Sequence, residues 1–303
     1  MNEPVAYLGP RGTFTHEATR ALFPEDHTLH TPCDSIPDVL TAVDRGEFPY
    51  GVVPVENAIE GSVTLTLDWL VHHVDVPITG ELIYPIAQHL MVHSSRAGEP
   101  LSKITRVLSH PQAVAQCRGF LRENLPKAVV TYVDSTADAA RQVRDHASET
   151  WAAIGPFMAH QLYGLQLAAQ QIQDYENNFT RFIVVGKEWA HPLVLPESRK
   201  SSLLVALPSD YPGALYKVLQ SFVEEGINLS RIESRPTKKK LGTYHFFIDA
   251  EAELSQSGME RALTSMESWG CQVRRLGSYP CHSYQTLNKA RVDNTSWEAY
   301  NHR

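Results

Sequence analysis

The run Asp174-Tyr175-Glu176-Asn177-Asn178-Phe179-Thr180-Arg181-Phe182 leads into an apolar stretch, Ile183-Val184-Val185-Gly186, that reads as a strand. A hydroxyl and a guanidinium therefore sit at the mouth of that strand. A hydroxyl can hydrogen-bond or pass a proton to a leaving oxygen, and a guanidinium can grip a carboxylate through two parallel bonds. The pair suits an anionic substrate that must shed a hydroxyl. Adjacent strand residues point to opposite faces, so both reach one cavity only if the strand edge is twisted or irregular. A strand start carrying a surface arginine would look the same.

Three further polar clusters accompany it. Gly9-Pro10-Arg11-Gly12-Thr13-Phe14-Thr15 is a glycine-bearing turn before a helix, a place where backbone N–H groups meet an anion. It has neither the Rossmann nor the Walker spacing. Pro54-Val55-Glu56-Asn57-Ala58-Ile59-Glu60-Gly61-Ser62 reads as a loop bearing a carboxylate, an amide and a hydroxyl, with Ser62 capping the next helix. Ser109-His110-Pro111-Gln112 sets a hydroxyl and an imidazole where a helix begins, with Ser109 as a candidate cap. A serine-protease reading fails for want of a GxSxG elbow. His89 and His93 are four apart in an extended segment without a neighbouring carboxylate, so a metal pair is not indicated.

These clusters need a scaffold. Up to about residue 190, short apolar runs alternate with helical patterns. Val5-Ala6-Tyr7-Leu8, Gly51-Val52-Val53, Ile104 to Leu108, Val129 to Val133 and Trp151 to Ile154 read as strands. Ile36, Val39, Leu40 and Val43 form a helix face, Val63 to His72 reads as a helix, and Ser135 caps another. Leu82 to Val92 reads as one long extended segment. The alternation predicts a largely parallel α/β sheet, with ligands beyond the carboxyl ends of its strands. The polar clusters follow Leu8, Val53 and Leu108, at those ends. Residues 191–200 read as a linker. Beyond it the order becomes βαββαβ, a ferredoxin-like split, and residues 282–303 read as a polar tail, loose or helical.

With 303 residues the chain is long enough for two α/β lobes and a further domain. Its 27 basic and 34 acidic residues give a net charge of −7, which argues against nucleic acid or an anionic membrane as partner. No apolar run reaches a membrane span, and the N-terminal residues lack a signal pattern, so the expectation is a cytoplasmic protein. Cys33, Cys117, Cys271 and Cys281 are scattered, so neither a zinc site nor a disulfide framework is indicated.

In this order the clusters resemble the prephenate dehydratase family. The resemblance rests on Gly-Pro-x-Gly-Thr-Phe at 9–14, Pro-x-Glu-Asn at 54–57, Ser109-His110-Pro111-Gln112, Asp174-xxx-Asn178-x-Thr180-Arg181-Phe182, and Leu276-Gly277-Ser278-Tyr279-Pro280. The C-terminal region resembles an ACT domain through Gly213-Ala214-Leu215 and Glu233-Ser234-Arg235-Pro236. The resemblance implies a two-lobed catalytic domain over 1–190, like type II periplasmic binding proteins, and a regulatory ACT domain over 201–281. It implies a monofunctional carbon–oxygen lyase that turns prephenate into phenylpyruvate, water and carbon dioxide without cofactor or metal. It also implies inhibition by phenylalanine and dimers or tetramers formed through the ACT domains.

Residue by residue, the resemblance implies that Thr180 assists the leaving hydroxyl, Arg181 anchors a carboxylate and Phe182 walls the ring. Thr13, Glu56, Asn57, Ser109 and His110 complete the site. Gly213, Ala214, Leu215, Asn228, Leu229, Glu233, Ser234, Arg235 and Pro236 hold the effector, and loss of residues after 195 should abolish inhibition. The chain departs from the family at Gly155-Pro156, where Ala-Ser is frequent, at Tyr216, and at Lys238-Lys239-Lys240. Arogenate as substrate, and a sensor without catalysis, are the rival readings.

Overall fold

The computed structural model describes residues 3–24, 28–190, 194–209, 211–238 and 243–289. The first lobe comprises β1 (Glu3–Leu8), α1 (Phe14–Leu22), β2 (Thr28–Cys33), α2 (Ile36–Asp44), β3 (Tyr50–Asn57), β4 (Gly61–Ser62), α3 (Thr64–His72) and β5 (Ile78–Pro85). The chain then crosses into a second lobe, with β6 (His89–Val92), β7 (Arg106–Ser109), α4 (Pro111–Ala115), α5 (Arg118–Asn124), β8 (Val129–Tyr132), α6 (Thr136–Asp145), β9 (Trp151–Gly155), α7 (Phe157–Tyr163) and β10 (Gln166–Ala169). It returns to the first lobe through β11 (Phe179–Gly186). Two crossings thus join the lobes, and the expected single segment 82–92 is in fact two strands in different sheets.

The sheets are mixed rather than largely parallel. β1, β2 and β3 pair in parallel, but β11 lies antiparallel between β3 and β5. In the second lobe β7, β8 and β9 are parallel, while β6 and β10 are antiparallel. The antiparallel strands β6, β10 and β11 all flank the crossings, where the chain must turn back. Ile36, Val39, Leu40 and Val43 of α2 are all buried against the first sheet, as their spacing requires.

β12 (Ser198–Ala206), α8 (Ala214–Glu224), β13 (Leu229–Pro236), β14 (Tyr244–Ala250), α9 (Ser257–Ser268) and β15 (Gln272–Ser283) make the βαββαβ unit. Leu203, Val205 and Ile248 face its helices and pack with Val218, Phe222, Met259 and Met266. Strand pleating sends Leu204, Phe247 and Tyr279 to the opposite face, where they share one core with Val71, Val74 and Ile183 of the first lobe. β15 then pairs in parallel with β5, Cys281 opposite Glu81 and Ser283 opposite Ile83. A 10-stranded sheet therefore runs through both domains in the order β13-β14-β12-β15-β5-β11-β3-β1-β2, with β4 paired to β3 beside this path. Gly277 allows the junction: its φ is +152°, and a Cβ there would collide with the Ile78 carbonyl.

The expected tail from 282 is structured at its start. His282 and Ser283 belong to β15, residues 284–289 are helical, and Leu287 is buried. The remainder, 290–303, and Lys239 and Lys240 lie outside the described residues. Among the described residues no helix is long and apolar enough to cross a membrane, and no cluster of His, Cys, Asp and Glu could hold a metal ion.

Candidate functional site

A cavity of about 370 Å³ opens between the two lobes. From the first lobe it receives Gly9 and Thr13 beyond β1, Asn57 at the end of β3, and Thr180 and Phe182 of β11. From the second it receives His110 and Gln112 beyond β7, and Asp134, Ser135 and Thr136 beyond β8. Carboxyl ends of strands from both lobes thus converge on one space.

Asn57 is the organising side chain. Its Oδ1 accepts the backbone N–H groups of Ile59 (3.0 Å) and Glu60 (3.1 Å), which fixes the amide's orientation. Its Nδ2 must then face β11, where it donates to Asn178 Oδ1 (2.9 Å), Phe179 O (3.2 Å) and Thr180 Oγ1 (3.0 Å). Because the Thr180 oxygen accepts from Asn57, its own proton is left to point elsewhere. Thr180 lines the cavity, so that proton is available to a ligand. Pro54-Val55-Glu56-Asn57 is therefore not a loop but the end of β3, paired with β11.

Helix termini face the cavity. Thr13 caps α1, accepting from His16 N at 3.4 Å, and Ser135 caps α6, accepting from Asp138 N at 2.9 Å. Both N-termini present partial positive charge, which favours an anion. His16 Nδ1 accepts the Gly12 N–H at 3.1 Å, and burial, followed by the charge of His30, lowers its pKa to about 4. The imidazole is neutral there, and the Gly12 N–H is committed to it rather than to a ligand. His110 caps α4, its Nδ1 accepting from Gln112 N at 3.3 Å, so the cap is His110 and not Ser109.

Several expected site residues lie elsewhere. Ser109 is fully buried, its hydroxyl donating to Ile154 O at 2.7 Å. Arg181 points away from the cavity, as strand alternation demands. Its Nε meets Glu81 at 2.6 Å, Nη1 meets Asp249 at 2.6 Å, and Nη2 donates to Tyr279 Oη at 3.1 Å. Burial alone would lower its pKa, but the charges of Asp249 and Glu81, with the hydrogen bond to Asp249, hold it above the ordinary value. Arg181 therefore does not anchor a ligand in the cavity, and none of the residues lining the cavity is Lys or Arg. Glu56 shares that outer side, 3.6 Å from Arg181 and 3.9 Å from Arg231. Ser62 caps no helix; it donates to Glu233 at 2.9 Å and accepts from Arg231 at 2.6 Å.

The C-terminal domain has its own cavity of about 410 Å³, lined by Gly213, Ala214, Leu215, Tyr216 and Phe246 among others. Gly213 has φ +90°, a backbone that favours glycine, and precedes α8 as its cap. The second signature divides by strand alternation. Glu233 and Arg235 face the first lobe, Arg235 meeting Asp68 at 2.6 Å, and the Pro236 carbonyl accepts from His72 at 3.0 Å. Ser234 lies opposite Phe246 in the ladder, on the cavity's side of the sheet. Asn228 donates to Glu251 at 2.9 Å, and Leu229 packs on the domain's core.

Sequence reasoning misses part of the site. Ser135 reads only as a cap, yet it follows β8 as the other clusters follow their strands, and that rule finds it. Gln88 and Gln116 line the cavity and bond each other at 3.1 Å, and nothing in the local sequence marks them. Glu60 accepts from Gln112 (2.5 Å) and Gln116 (3.1 Å), bridging the lobes at the cavity rim. Glu17 of α1 makes a second bridge between the lobes, accepting from Tyr84 Oη (3.0 Å) and Met158 N (2.8 Å). Burial lifts the Glu17 carboxyl to about 7.

The prephenate dehydratase family model matches residues 5–190, and the ACT domain model matches 201–267. The chain belongs to the prephenate dehydratase family. It is 41% identical to prephenate dehydratase of Bacillus subtilis over 93% of this chain and 99% of that protein. Among solved structures, prephenate dehydratase of Arthrobacter aurescens in complex with L-Phe superposes with a TM-score of 0.78 at 36% identity, covering 98% of each chain. A protein described as a novel type of quorum-quenching acylase superposes at 0.79 with 26% identity, covering 92% of this chain and 98% of that one. Activity must therefore be argued from the site as well as from the fold.

Proposed function

We propose that this chain is a phenylalanine-regulated prephenate dehydratase whose chemistry occurs in the interlobe cavity, with Thr180 assisting the departing hydroxyl. The observation that carries the reading is the Asn57 Nδ2 to Thr180 Oγ1 hydrogen bond at the cavity wall. Prephenate carries two carboxylates and a ring hydroxyl. As the ring carboxylate leaves as carbon dioxide, its electron pair moves through the ring and expels the hydroxyl, which departs as water once it gains a proton. Aromatisation drives the step. Thr180 hydrogen-bonds the departing oxygen and relays a proton from solvent, a role suited to a weakly acidic hydroxyl.

The N-termini of α1 and α6 supply positive potential to the dianion, with His110, Gln88 and Gln112 as polar contacts. Phe182 presents its ring beside Thr180, two residues along the same strand face. In the regulatory domain, phenylalanine would sit by Gly213, Ala214, Leu215 and Phe246, with Ser234 beside them. β13 is the terminal strand of the sheet and carries exposed Ile232, while Tyr216, Val223 and Tyr244 are also exposed. An apolar edge of this kind favours association through the ACT domains as dimers or tetramers.

The test is phenylpyruvate formation from prephenate at neutral pH, with and without phenylalanine and against an enzyme-free control, with arogenate run in parallel. Turnover of prephenate suppressed by phenylalanine is the expected result. Turnover of arogenate alone would change the substrate, and turnover of neither would refute the reading.

A further inference from the structure

Thr180 and Arg181 are neighbours in sequence but serve different domains. Arg181 is only 8% exposed, and Glu81 and Asp249 at most 1%. Glu81 also receives Lys200 Nζ at 2.7 Å, so Arg181 and Lys200 face the buried carboxylates of Glu81 and Asp249, with the more exposed Glu56 3.6 Å from Arg181. The Ser202 hydroxyl donates to Asp249 and shares a 2.7 Å hydrogen bond with Tyr279. Lys200, Ser202, Asp249 and Tyr279 all belong to the regulatory domain. Buried ion clusters of this kind give little net stability over an apolar packing, although breaking one is costly. The cluster's position indicates a use beyond holding the fold.

Two features connect it to both cavities. The register of β11 against β3 shifts between Arg181 and Phe182, so the pairing is irregular at Arg181 itself, next to Thr180 in the strand. Asp249 lies on β14, three residues beyond Phe246, which walls the regulatory cavity. A shift of β14 reaches Asp249, then the guanidinium, then the residue beside Thr180.

We propose that Arg181 is a positioning residue that couples the regulatory cavity to the Thr180 hydroxyl through Asp249 and Tyr279. This rests on the reading of the interlobe cavity as the dehydratase site and of the Phe246 cavity as the phenylalanine site. It differs from a substrate anchor in what it predicts for residues that lie in the other domain.

Tyr279→Phe and Asp249→Asn are compared with wild type for prephenate turnover, for inhibition by phenylalanine, and for phenylalanine binding by calorimetry. Tyr279→Phe deletes one hydroxyl and is the variant least prone to misfold. Coupling predicts a fall in kcat with KM held within about twofold, and an inhibitory concentration raised about tenfold or more. Phenylalanine still binds both variants. A raised KM with unchanged kcat and unchanged inhibition would overturn the proposal. So would loss of phenylalanine binding, which would place Asp249 or Tyr279 in the effector site itself. Wild-type protein without turnover overturns the activity reading and this inference with it. Active variants with an unaltered phenylalanine response overturn this inference alone.

Discussion

The substitution Asn57→Asp changes one atom and reverses the direction of one proton. Asn57 is 6% exposed, and its Oδ1 contacts to Ile59 and Glu60 survive in the variant, so the turn after β3 is kept. The second carboxylate oxygen would stand where Nδ2 now donates, about 3 Å from Asn178 Oδ1, Phe179 O and Thr180 Oγ1. Two of those partners are carbonyl oxygens and would be repelled. Asn178 carries a buried Nδ2 without a hydrogen bond, so rotating its amide offers a donor to the new carboxylate. The net folding cost is then about 1–3 kcal/mol. The kinetic cost is larger, because the Thr180 hydroxyl would donate to the introduced carboxylate instead of to the substrate. Losing positioned proton assistance costs roughly 10²–10⁴ in rate, about 3–5 kcal/mol of barrier. The assay is kcat and KM for prephenate near neutral pH, with thermal unfolding as a control for folding. Activity should recover as pH falls, since the introduced carboxyl can donate again once protonated, after subtraction of the uncatalysed reaction in acid. A folded Asn57→Asp protein with kcat within about threefold of wild type would refute the orientation argument.

Thr180→Ala should lower kcat by roughly 10²–10⁴ with KM little changed, and Thr180→Ser should restore most of the loss because it keeps the hydroxyl; equal rates for the alanine variant and wild type would remove Thr180 from the chemistry. Glu17 has its carboxyl raised from 4.5 to about 7, chiefly by burial. A raised carboxyl contributes stability that is complete below its unfolded pKa and is lost as pH climbs through the folded value. Glu17→Gln removes that loss, so its stability relative to wild type should improve by about 2–3 kcal/mol as pH rises from about 5 to about 8, as read by denaturant unfolding at each pH; a difference independent of pH would show that the carboxyl does not titrate in this range. Gly213→Trp forces a side chain onto a backbone with φ +90° and fills the regulatory cavity; turnover should remain while inhibition by phenylalanine disappears. Gly277→Ala should cost about 2–4 kcal/mol through strain and the clash with Ile78, seen as a lower thermal midpoint; an unchanged midpoint would mean that β15 and β5 can separate freely.

Periodicity makes the helices of the first 190 residues and the βαββαβ order legible, because burial imposes a spacing that survives in one sequence. The convergence of Gly9, Thr13, Asn57, His110 and Thr180 is legible too, since loops after strands gather at one end of a sheet. Arg181 misleads through its chemistry rather than its position. Its neighbour Thr180 faces the cavity, and alternation alone sends the guanidinium to the opposite face, where Asp249 lies 68 residues away. Glu233 and Arg235 mislead for the same reason: a signature along a strand is shared between two faces. Ser62 and Ser109 show that a hydroxyl before a helix becomes a cap only when no stronger partner is near. Gln88 and Gln116 carry no local signal, because their pairing is made by the crossing between lobes.

The single sheet that runs from β13 to β2 has a consequence for recombination. The linker between the catalytic and regulatory segments invites a cut there, yet removing everything after residue 195 would strip the partner from β5 and leave Glu81 and Arg181 without Asp249 and Tyr279. Truncation would then report on folding before it reported on inhibition. A chimera that exchanges sensors has to carry β15 through Ser283, together with residues equivalent to Gly277, Tyr279 and Asp249. Sensor and catalyst in this chain are transferable as one piece, and the heritable unit is the seam between them.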